Sequence, residues 1–396
     1  MADTLYHALV LNLHQPHGNL EHLIAHNEWE AREILFAMDR IPRALADYQD
    51  IGRVHLALSG TLLEALTSAE FQSRAYGMVD CGALLWQLRN TQVIDLLGTA
   101  YYHPVMPLIP PADWEAHLER WRGMARRQFY HSDFQGFWPP EMGFCMEMIP
   151  LLRRSGYRFV LVDCEHVQPV TPMRWEQLRY QPHIARFGGE EIIVIVRDRD
   201  LSNAQESGME FAWFDREVRE RTKTCDFPAL VTTCSDGQNG GWFRNATPGS
   251  NFWDVFYKPL MEKARGGDNA VQPAFIKDYL NQFGATGEVT VGPGAWNTGW
   301  HNGHDFVQWS GSAAQKDALT RVGEVSQAVQ GSLRNAAHLG SRNPELLGLL
   351  EEARWRVLRA ETSCHFFWGT AWIDRAHAGF NETMHWIDRA RRARGG

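Results

Sequence analysis

Residues 136–144 read Gly-Phe-Trp-Pro-Pro-Glu-Met-Gly-Phe, a short apolar run that stops at two prolines and a carboxylate. Proline cannot donate to a sheet ladder, so Pro139 and Pro140 end the strand that the apolar run predicts. Glu141 follows the two prolines directly, and Trp138 precedes them. A strand that ends in an acid before a helix is how α/β-barrel enzymes place catalytic groups. The alternative is that this acid only caps a helix or forms a loop ion pair.

Further apolar runs on either side of this stretch predict seven strands in all. They lie at residues 5–13, 53–58, 92–97, 134–138, 157–162, 191–196 and 229–233. Helical spacing between them predicts helices at residues 29–50, 61–71, 81–90, 113–129, 145–155 and 206–221. Continuous apolar strands that alternate with helices are typical of a parallel sheet covered on both faces. No run has the charges or prolines of an exposed edge, so we predict that the sheet closes into a barrel.

The residue composition and the hydrophobic pattern of the chain change after the seventh predicted strand. Residues 237–250 and 285–311 are loops rich in glycine, and from residue 312 onward the pattern is helical, with a break at 340–344. We therefore expect an α/β catalytic barrel over residues 1–270. Residues 271–396 are expected to form a loop and a C-terminal helical region that packs on the barrel and completes its cleft.

The composition is that of a folded globular protein, with 44% hydrophobic and 22% charged residues. A net charge of −8, with no Lys/Arg block before residues 389–394, argues against nucleic acid or an anionic membrane as partner. The 16 tryptophans are about three times the usual share. Many stand beside Gly, Pro or Asn, in the loop-like settings that suit a carbohydrate cleft, although a large aromatic core is the simpler explanation.

Several kinds of site and segment find no support in the sequence. The six cysteines form no CxxC pair, and neither GxGxxG nor GxxxxGK[ST] occurs, so we expect no cofactor. The first residues lack the features of a signal peptide, and no run of about 18 apolar residues predicts a membrane span. The expected location is the cytoplasm, and the oligomeric state stays open.

Polar side chains stand at the carboxyl ends of the predicted strands. They are His14, His103, Glu141, Asp163, Asp198 and Asp236. In a barrel these strand ends share one face, and that face carries the active site. Side chains more than two hundred positions apart are therefore expected to meet in one cleft.

Glu141 and Asp236 are the best candidates for a catalytic pair. Glycoside cleavage needs one carboxyl that attacks the anomeric carbon or activates water and another that protonates the leaving oxygen. Both positions have a tryptophan nearby, Trp138 and Trp242 respectively. A separation of about 5–5.5 Å would predict retention of configuration, and about 6.5–9.5 Å inversion.

The histidines allow more than one interpretation. His14 and His103 can donate hydrogen bonds to substrate hydroxyls. Together with Asp163 or Asp198 they could also form a metal site, but no HxxxH or HExxH spacing supports it, so no metal ligand is predicted. The simplest alternative is a pair of histidines at the barrel rim satisfied by the backbone.

Five segments resemble the motifs of glycoside hydrolase family 57. They are LHQPH at residues 13–17, FWPPE at 137–141, SDGQ at 235–238, the Trp-rich region at 296–309 and ETSCHFFWG at 361–369. The family contains retaining α-glucan enzymes with an incomplete (β/α)7 barrel, so the resemblance implies that fold and an α-glucan or maltooligosaccharide substrate. It implies amylase, 4-α-glucanotransferase or branching activity.

The resemblance also implies roles for single residues. Glu141 matches the family's nucleophile and Asp236 its general acid/base, whereas Gln238 stands where the family usually has Glu. We expect His14 and His103 to contact sugar hydroxyls. The expected stacking surfaces are Trp138, Trp242, Trp296, Trp300 and Trp368. Two alternatives stay open: a metal-dependent carbohydrate hydrolase or deacetylase, and a non-catalytic α-glucan-binding protein.

Overall fold

The structure, a computed structural model, describes residues 4–131, 133–267, 270–298 and 305–394. The strands are β1 Leu5–Leu13, β2 Val54–Leu58, β3 Ile94–Leu97, β4 Gly136–Phe137, β5 Phe159–Asp163, β6 Val167–Pro169, β7 His183–Phe187, β8 Glu190–Arg197, β9 Ala229–Asp236, β10 Gln272–Pro273 and β11 Val289–Val291.

The first ten α-helices are α1 Asn19–His26, α2 Glu28–Ala44, α3 Gly60–Thr67, α4 Ala69–Arg74, α5 Cys81–Asn90, α6 Pro111–Phe129, α7 Ile149–Arg154, α8 Trp175–Tyr180, α9 Arg199–Glu206 and α10 Phe211–Thr222. The others are α11 Gly241–Arg244, α12 Lys258–Arg265, α13 Ile276–Phe283, α14 Val307–Ser310, α15 Ala313–His338, α16 Pro344–Ala360, α17 Ser363–Phe367 and α18 Thr370–Arg394. Short 3-10 turns lie at Ala46–Tyr48, Met106–Leu108, Pro140–Met142, Met146–Met148 and Cys164–His166, and a π-helical turn lies at Trp253–Tyr257.

Seven parallel strands form the barrel in the order β3-β2-β1-β9-β8-β5-β4. The two ends of this order meet at Gly98, which donates its N–H to the Gly136 oxygen at 2.9 Å and accepts from the Trp138 N–H at 2.8 Å. The shortest run of paired residues between neighbouring strands lies between β8 and β9, where Arg197 stands opposite Thr232. The α/β class, the seven predicted strands and the (β/α)7-type barrel are therefore confirmed.

The two faces of β1 show why the strands are apolar throughout. Ala8 and Val10 pack inside the barrel, in a cluster made of side chains from the strands, with α13 as the only α-helix that contributes to it among the described residues. Leu9 and Leu11 point outward into the larger cluster that contains the surrounding helices. Both faces of the sheet are covered, so burial selects hydrophobic residues at consecutive positions.

Some predicted helices have different bounds. The helix expected over residues 206–221 is wrong in its first turn, because α9 ends at Glu206 and α10 begins at Phe211. Gly208 in this break has φ 103°, which ends a right-handed helix. The helix expected over residues 145–155 is a 3-10 turn followed by the six-residue α7, where Pro150 in the first turn lacks an N–H to donate.

The region after residue 312 is helical, as the sequence predicts, and its break contains Gly340 at φ 58°. Helices α15, α16 and α18 pack on one another, and the five-residue α17 returns the chain to the barrel, where the Ser363 N–H donates to the His103 oxygen at 2.9 Å. The division of the chain near residue 270 stays a prediction. Within the described residues, no helix is both long enough and apolar enough to cross a membrane.

Candidate active site

Glu141 has an unusual backbone conformation. Its φ is 55° and its ψ 17°, and Met142 follows with φ 52°, so two consecutive residues with side chains occupy the left-handed region. Such residues cost about 1–3 kcal/mol each and persist where the surroundings fix them. Here the main-chain N–H of Trp296 donates to the main-chain oxygen of Glu141 at 2.9 Å. The main-chain N–H of Met142 donates to the main-chain oxygen of Pro139 at 2.7 Å. The turn after β4 is therefore held in a strained shape that presents the Glu141 carboxyl.

Both oxygens of the Glu141 carboxyl accept a hydrogen bond. Ser363 Oγ donates to Oε1 at 2.7 Å, and Trp296 Nε1 donates to Oε2 at 2.9 Å. His103 Nδ1 lies 3.5 Å from Oε1, and 16% of the Glu141 side chain is exposed. The carboxyl is thus fixed by one donor from α17 and one from the segment after β11, which leaves little rotational freedom.

Burial raises the pKa of Glu141 to about 7, because removal from water disfavours the charged carboxylate. The hydrogen bonds from Ser363 and Trp296 oppose this shift, since they stabilise the carboxylate, while the negative charge of Asp236 adds to it. The influence of Asp236 means that the two acids lie within electrostatic reach of each other. The Glu141 carboxyl therefore titrates in the neutral range.

His14 and His103 stack face to face, with ring centroids 3.9 Å apart and planes 4° from parallel. Burial lowers the pKa of His103 to about 3, and burial with repulsion from His103 lowers the pKa of His14 well below its ordinary value. Two neutral imidazoles result. His103 Nδ1 lies 3.2 Å from Ser363 Oγ, and His14 Nε2 lies 3.6 Å from Cys364 Sγ. In the described part of the chain, His14 Nδ1 and His103 Nε2 have no hydrogen-bond partner.

Asp236 is the last residue of β9 and stands opposite Asn12 of β1 in the sheet register. Its carboxyl accepts from Asn239 Nδ2 at 2.5 Å and from the Gln238 N–H at 3.1 Å. Burial raises the pKa of Asp236, and these donors together with the charge of Arg244 partly offset the shift. Asp236 is therefore an acid that keeps its proton to higher pH than a solvated aspartic acid does.

Gln238 is fully buried beneath the loop that carries Asp236. Its Nε2 donates to the His14 main-chain oxygen, and its own main-chain oxygen accepts from Arg244 Nε at 2.6 Å. The side-chain amide joins the loop after β9 to the loop after β1. A donor is required at this position, and an ionised carboxylate has none to offer.

The tryptophans predicted as stacking surfaces lie in different environments. Trp296 contacts Glu141, and the ring of Trp138 packs edge-on against it at 5.5 Å, fully buried. Trp242 is half-buried, and Trp368 is 60% exposed, with its ring edge-on to Phe367 at 4.9 Å. Trp300 lies outside the described residues.

The two remaining strand-end acids do not join the histidines. Asp163 pairs with Arg197 at 2.7 Å and with Arg199 at 2.7 Å. Asp198 accepts from the Leu201 N–H at 3.0 Å as the cap of α9 and from Tyr180 Oη at 2.9 Å. Across the described ranges, no group of three or more His, Cys, Asp or Glu side chains is arranged to hold a metal ion.

Ser363 and Cys364 reach the site although the sequence did not single them out. Both lie in the segment 361–369 that resembles a family motif, in which the sequence predicts Trp368 as a site residue. Ser363 is 222 residues from Glu141 along the chain. A serine carries no local signal for such a contact, so spacing alone could not have found it.

A profile of the family described as "Glycosyl hydrolase family 57" matches residues 8–292. Among curated relatives, a 4-alpha-glucanotransferase of Thermococcus litoralis is 27% identical over 283 residues, which are 70% of this chain and 38% of the relative. An alpha-amylase of Pyrococcus horikoshii is 28% identical over 189 residues, 48% of this chain and 27% of the relative. The chain thus matches less than two fifths of the length of either relative.

Two solved structures share the fold. A GH57 branching enzyme from Thermococcus kodakaraensis, in complex with glucose and additives, has a TM-score of 0.77 at 13% identity, covering 98% of this chain and 90% of the other. An alpha-amylase from Thermotoga maritima has a TM-score of 0.72 at 11% identity, covering 98% and 93%. At such identities the likeness shows the architecture, a nearly closed barrel followed by C-terminal helices.

Proposed function

Because the chain belongs to glycosyl hydrolase family 57, a family of enzymes that act on α-glucans, we propose that it transforms α-1,4-glucans with retention of anomeric configuration. The observation that carries this proposal is the Glu141 carboxyl, held by two donors at the carboxyl face of the barrel, within electrostatic reach of Asp236. The family match supports an α-glucan as the substrate, and the acid pair of the site suits glycoside chemistry.

In the first step the ionised Glu141 attacks the anomeric carbon, and the glycosidic carbon–oxygen bond breaks as the new ester bond forms. Asp236 gives its proton to the departing oxygen. The donors Ser363 and Trp296 keep the attacking carboxylate in place, which favours reaction through orientation. The neutral His14 and His103, which each have one ring nitrogen without a partner among the described residues, are the residues that we expect to form hydrogen bonds with sugar hydroxyls.

In the second step Asp236, now ionised, takes a proton from the acceptor. The acceptor oxygen attacks the anomeric carbon and releases Glu141. Water as acceptor gives hydrolysis, a 4-hydroxyl gives glucan transfer, and a 6-hydroxyl gives a branch. The competent free enzyme carries one proton on the pair, on Asp236, so the pH dependence of turnover should be bell-shaped.

Substitution of each acid tests the assignment. Glu141→Gln and Asp236→Asn should each lower turnover of maltoheptaose and amylose by at least about a hundredfold. Glu165→Gln is a control, because this exposed acid lies just after the carboxyl end of β5 but pairs with Arg179 at 3.9 Å. Unchanged turnover in both site variants would overturn the assignment of Glu141 and Asp236 as the catalytic acids. Binding of maltoheptaose by the wild type without any turnover would favour a non-catalytic α-glucan-binding protein.

A trapping experiment separates the two roles. In Asp236→Asn, an α-maltosyl fluoride should still react with Glu141, because fluoride leaves without a proton, and the second step should be slow. Mass spectrometry of digested protein should then find a maltosyl unit on the peptide that contains Glu141. No such adduct should form on Glu141→Gln. An adduct on another residue would contradict the assignment of the nucleophile.

A product profile on amylose and maltoheptaose distinguishes the three activities. Smaller sugars alone indicate hydrolysis, larger linear products indicate 4-α-glucan transfer, and new α-1,6 linkages indicate branching. Proton NMR of the first hydrolysis product from the non-reducing-end side of the cleaved bond should show the α-anomer at its new reducing end. A β-anomer would mean inversion and would overturn the covalent mechanism.

A further inference from the structure

We propose that Asp113, His117 and Glu361 form a buried positioning network that holds Ser363 against the nucleophile, and that Glu361 acts in it as a proton-bearing, neutral acid. The proposal rests on the function proposed above, since it takes Glu141 to be the nucleophile. None of the three residues touches the reacting atoms, so their role is to position others. We call them the acid–imidazole network.

The network lies between the barrel and the C-terminal helices, and all three side chains are fully buried. Asp113 and His117 are one turn apart on α6, and Glu361 follows the end of α16. His117 Nε2 lies 2.9 Å from Glu361 Oε2. Asp113 Oδ1 accepts from Gln330 Nε2 at 2.8 Å, and Asp113 Oδ2 accepts from Ser326 Oγ, both donors belonging to α15.

The direction of the hydrogen bonds assigns the protons. The Tyr102 N–H donates to His117 Nδ1 at 3.5 Å, so His117 carries its proton on Nε2 and donates it to Glu361. Two donors point at Asp113, as expected for an ionised carboxylate. Glu361 has no such set of donors: His117 contacts its Oε2, and within the described residues its buried Oε1 has no hydrogen-bond partner, a poor environment for a second carboxylate charge near Asp113. The proton therefore belongs to Glu361.

The electrostatics agree with this assignment. Burial and the neighbouring charge of Asp113 raise the pKa of Glu361 well above its usual range. Burial lowers the pKa of His117 to about 3, and the charge of Arg120 adds to that shift, so His117 is neutral. His117 and Glu361 are therefore joined by a hydrogen bond between two neutral groups, not by an ion pair.

The acid–imidazole network connects to the active site along two routes, one through Ser363 and one through Tyr102. Two residues after Glu361, Ser363 donates its Oγ proton to Glu141 at 2.7 Å and its N–H to the His103 oxygen at 2.9 Å. On the other side, His117 accepts from the Tyr102 N–H, one residue before His103. A single imidazole thus ties together the two segments that flank the Glu141 carboxyl.

Burial of three ionisable side chains costs stability, and hydrophobic residues at such positions are often as stable or more so. The hydrogen-bond geometry that these groups specify offers something that apolar packing does not: a fixed distance between Glu361 and α6. That distance sets where Ser363 stands, and misplacement of a catalytic contact by about 1 Å can cost about a hundredfold in rate.

The first test compares two substitutions of Glu361. Glu361→Gln keeps an oxygen that accepts from His117 and is uncharged, like the protonated acid, so kcat/KM should stay within about threefold of wild type and its pH profile should be unchanged. Glu361→Ala should lower kcat/KM by roughly ten- to a hundredfold. It should also move the acid limb of the profile to higher pH, because Glu141 loses the Ser363 bond that lowers its pKa.

A double-mutant cycle with Ser363 makes the test specific. Ser363→Ala should reproduce the shifted acid limb, and Glu361→Ala combined with Ser363→Ala should shift it no further, since both changes remove one interaction. Leu350→Ala in the buried face of α16 is the stability control: it should lower the melting temperature without a shift of the acid limb. Additive effects, or a shift in the control, would overturn the proposal.

Infrared spectroscopy can detect the proton on the Glu361 carboxyl independently of enzyme activity. At pH 9, where Glu141 with its pKa of about 7 is ionised, wild type should retain a C=O stretch of a protonated carboxyl. The wild-type spectrum minus the Glu361→Gln spectrum should contain this band, whereas any contribution from a protonated Asp236 cancels in the difference. Absence of the band from this difference, or an activity of Glu361→Gln as low as that of Glu361→Ala, would overturn the assignment. A normal band with fully active Glu141→Gln would instead mean that the proposed nucleophile is wrong.

Discussion

At the scale of single residues, the Glu141 carboxyl accepts hydrogen bonds from Ser363 and Trp296, which lie in different parts of the chain. In its proposed role as nucleophile, the Glu141 side chain would be weak if burial acted alone, because a protonated acid does not attack carbon. Ser363 and Trp296 counter that burial and keep the pKa near 7. The sequence indicated Glu141 and Asp236, since strand ends and acids can be recognised from local patterns. It gave no sign of Ser363, because that contact depends on tertiary packing.

Trp296→Phe should move the acid limb of kcat/KM to higher pH. The substitution keeps the ring but removes the donor to Glu141 Oε2, so the carboxylate loses a bond that lowers its pKa, and activity is lost at a higher pH during acidification. A hydrogen bond to a charged group contributes about 1.5–3 kcal/mol, which corresponds to about one to two pKa units.

The matched control is Trp138→Phe. The Nε1 of this neighbouring buried tryptophan has no hydrogen-bond partner within the described ranges, so its removal should leave the acid limb where it is. Equal shifts in the two variants would show that ring packing, and not the bond to Glu141, sets the pKa. Rate measurements on maltoheptaose between pH 4 and pH 9 supply the comparison.

Gln238→Glu should weaken the enzyme at neutral pH. An ionised carboxylate cannot donate to the His14 oxygen and would place a second negative charge beside Asp236. We expect kcat to fall by roughly tenfold at pH 8, equivalent to about 1.4 kcal/mol, and less at pH 5, where a protonated acid can donate. Gln135→Glu, at the opposite end of β4, is the control and should change neither value.

At the scale of elements, the close packing of α16 and α18 decides where α17 begins. A Cβ added at Gly379 of α18 would lie 2.9 Å from the Cβ of Ala360, the last residue of α16. Such a distance forces the two helices apart immediately before Glu361. The position of α17 therefore depends on a glycine that no local pattern marks as functional.

Glycine-to-alanine changes at two helix positions should have opposite effects. Gly379→Ala should destabilise the protein by about 1–3 kcal/mol through overpacking and lower kcat. Gly348→Ala in α16 meets open space and should stabilise it by about 0.5–1 kcal/mol, because alanine favours the helix. Urea unfolding measures both, and destabilisation by both changes would contradict the packing argument.

The strands were predicted better than the helices, and the reason is physical. A barrel strand is buried on both faces, so its hydrophobic run is visible in the sequence. The helix boundaries depend on single residues such as Gly208, whose φ of 103° becomes known only from the structure. Strand β7 was not predicted at all: it reads HIARF, is short, and pairs antiparallel with β8 outside the ring of seven.

At the scale of the whole molecule, burial of the Glu141 carboxyl lowers the free energy of unfolding at neutral and higher pH. The folded pKa of Glu141, about 7, exceeds the ordinary 4.5, so the folded state binds more protons than the unfolded state between these values. Stability therefore falls as pH rises from about 4.5 to 7 on account of this group. Glu141→Gln removes the titration and should raise the melting temperature at pH 8 by several degrees, with little change at pH 4.5. Thermal unfolding at the two pH values, with Glu165→Gln as control, checks the sign.

The 222 residues between Glu141 and Ser363 also set an order in time. A ribosome adds about 5–20 residues each second, so roughly ten to forty seconds separate the synthesis of the two residues. During translation the emerging chain has both acids before it has the hydroxyl that steadies one of them. The last helices therefore complete the surroundings of the proposed nucleophile as well as the fold, and we expect a nascent chain that holds the seven strands alone to be inactive or nearly so.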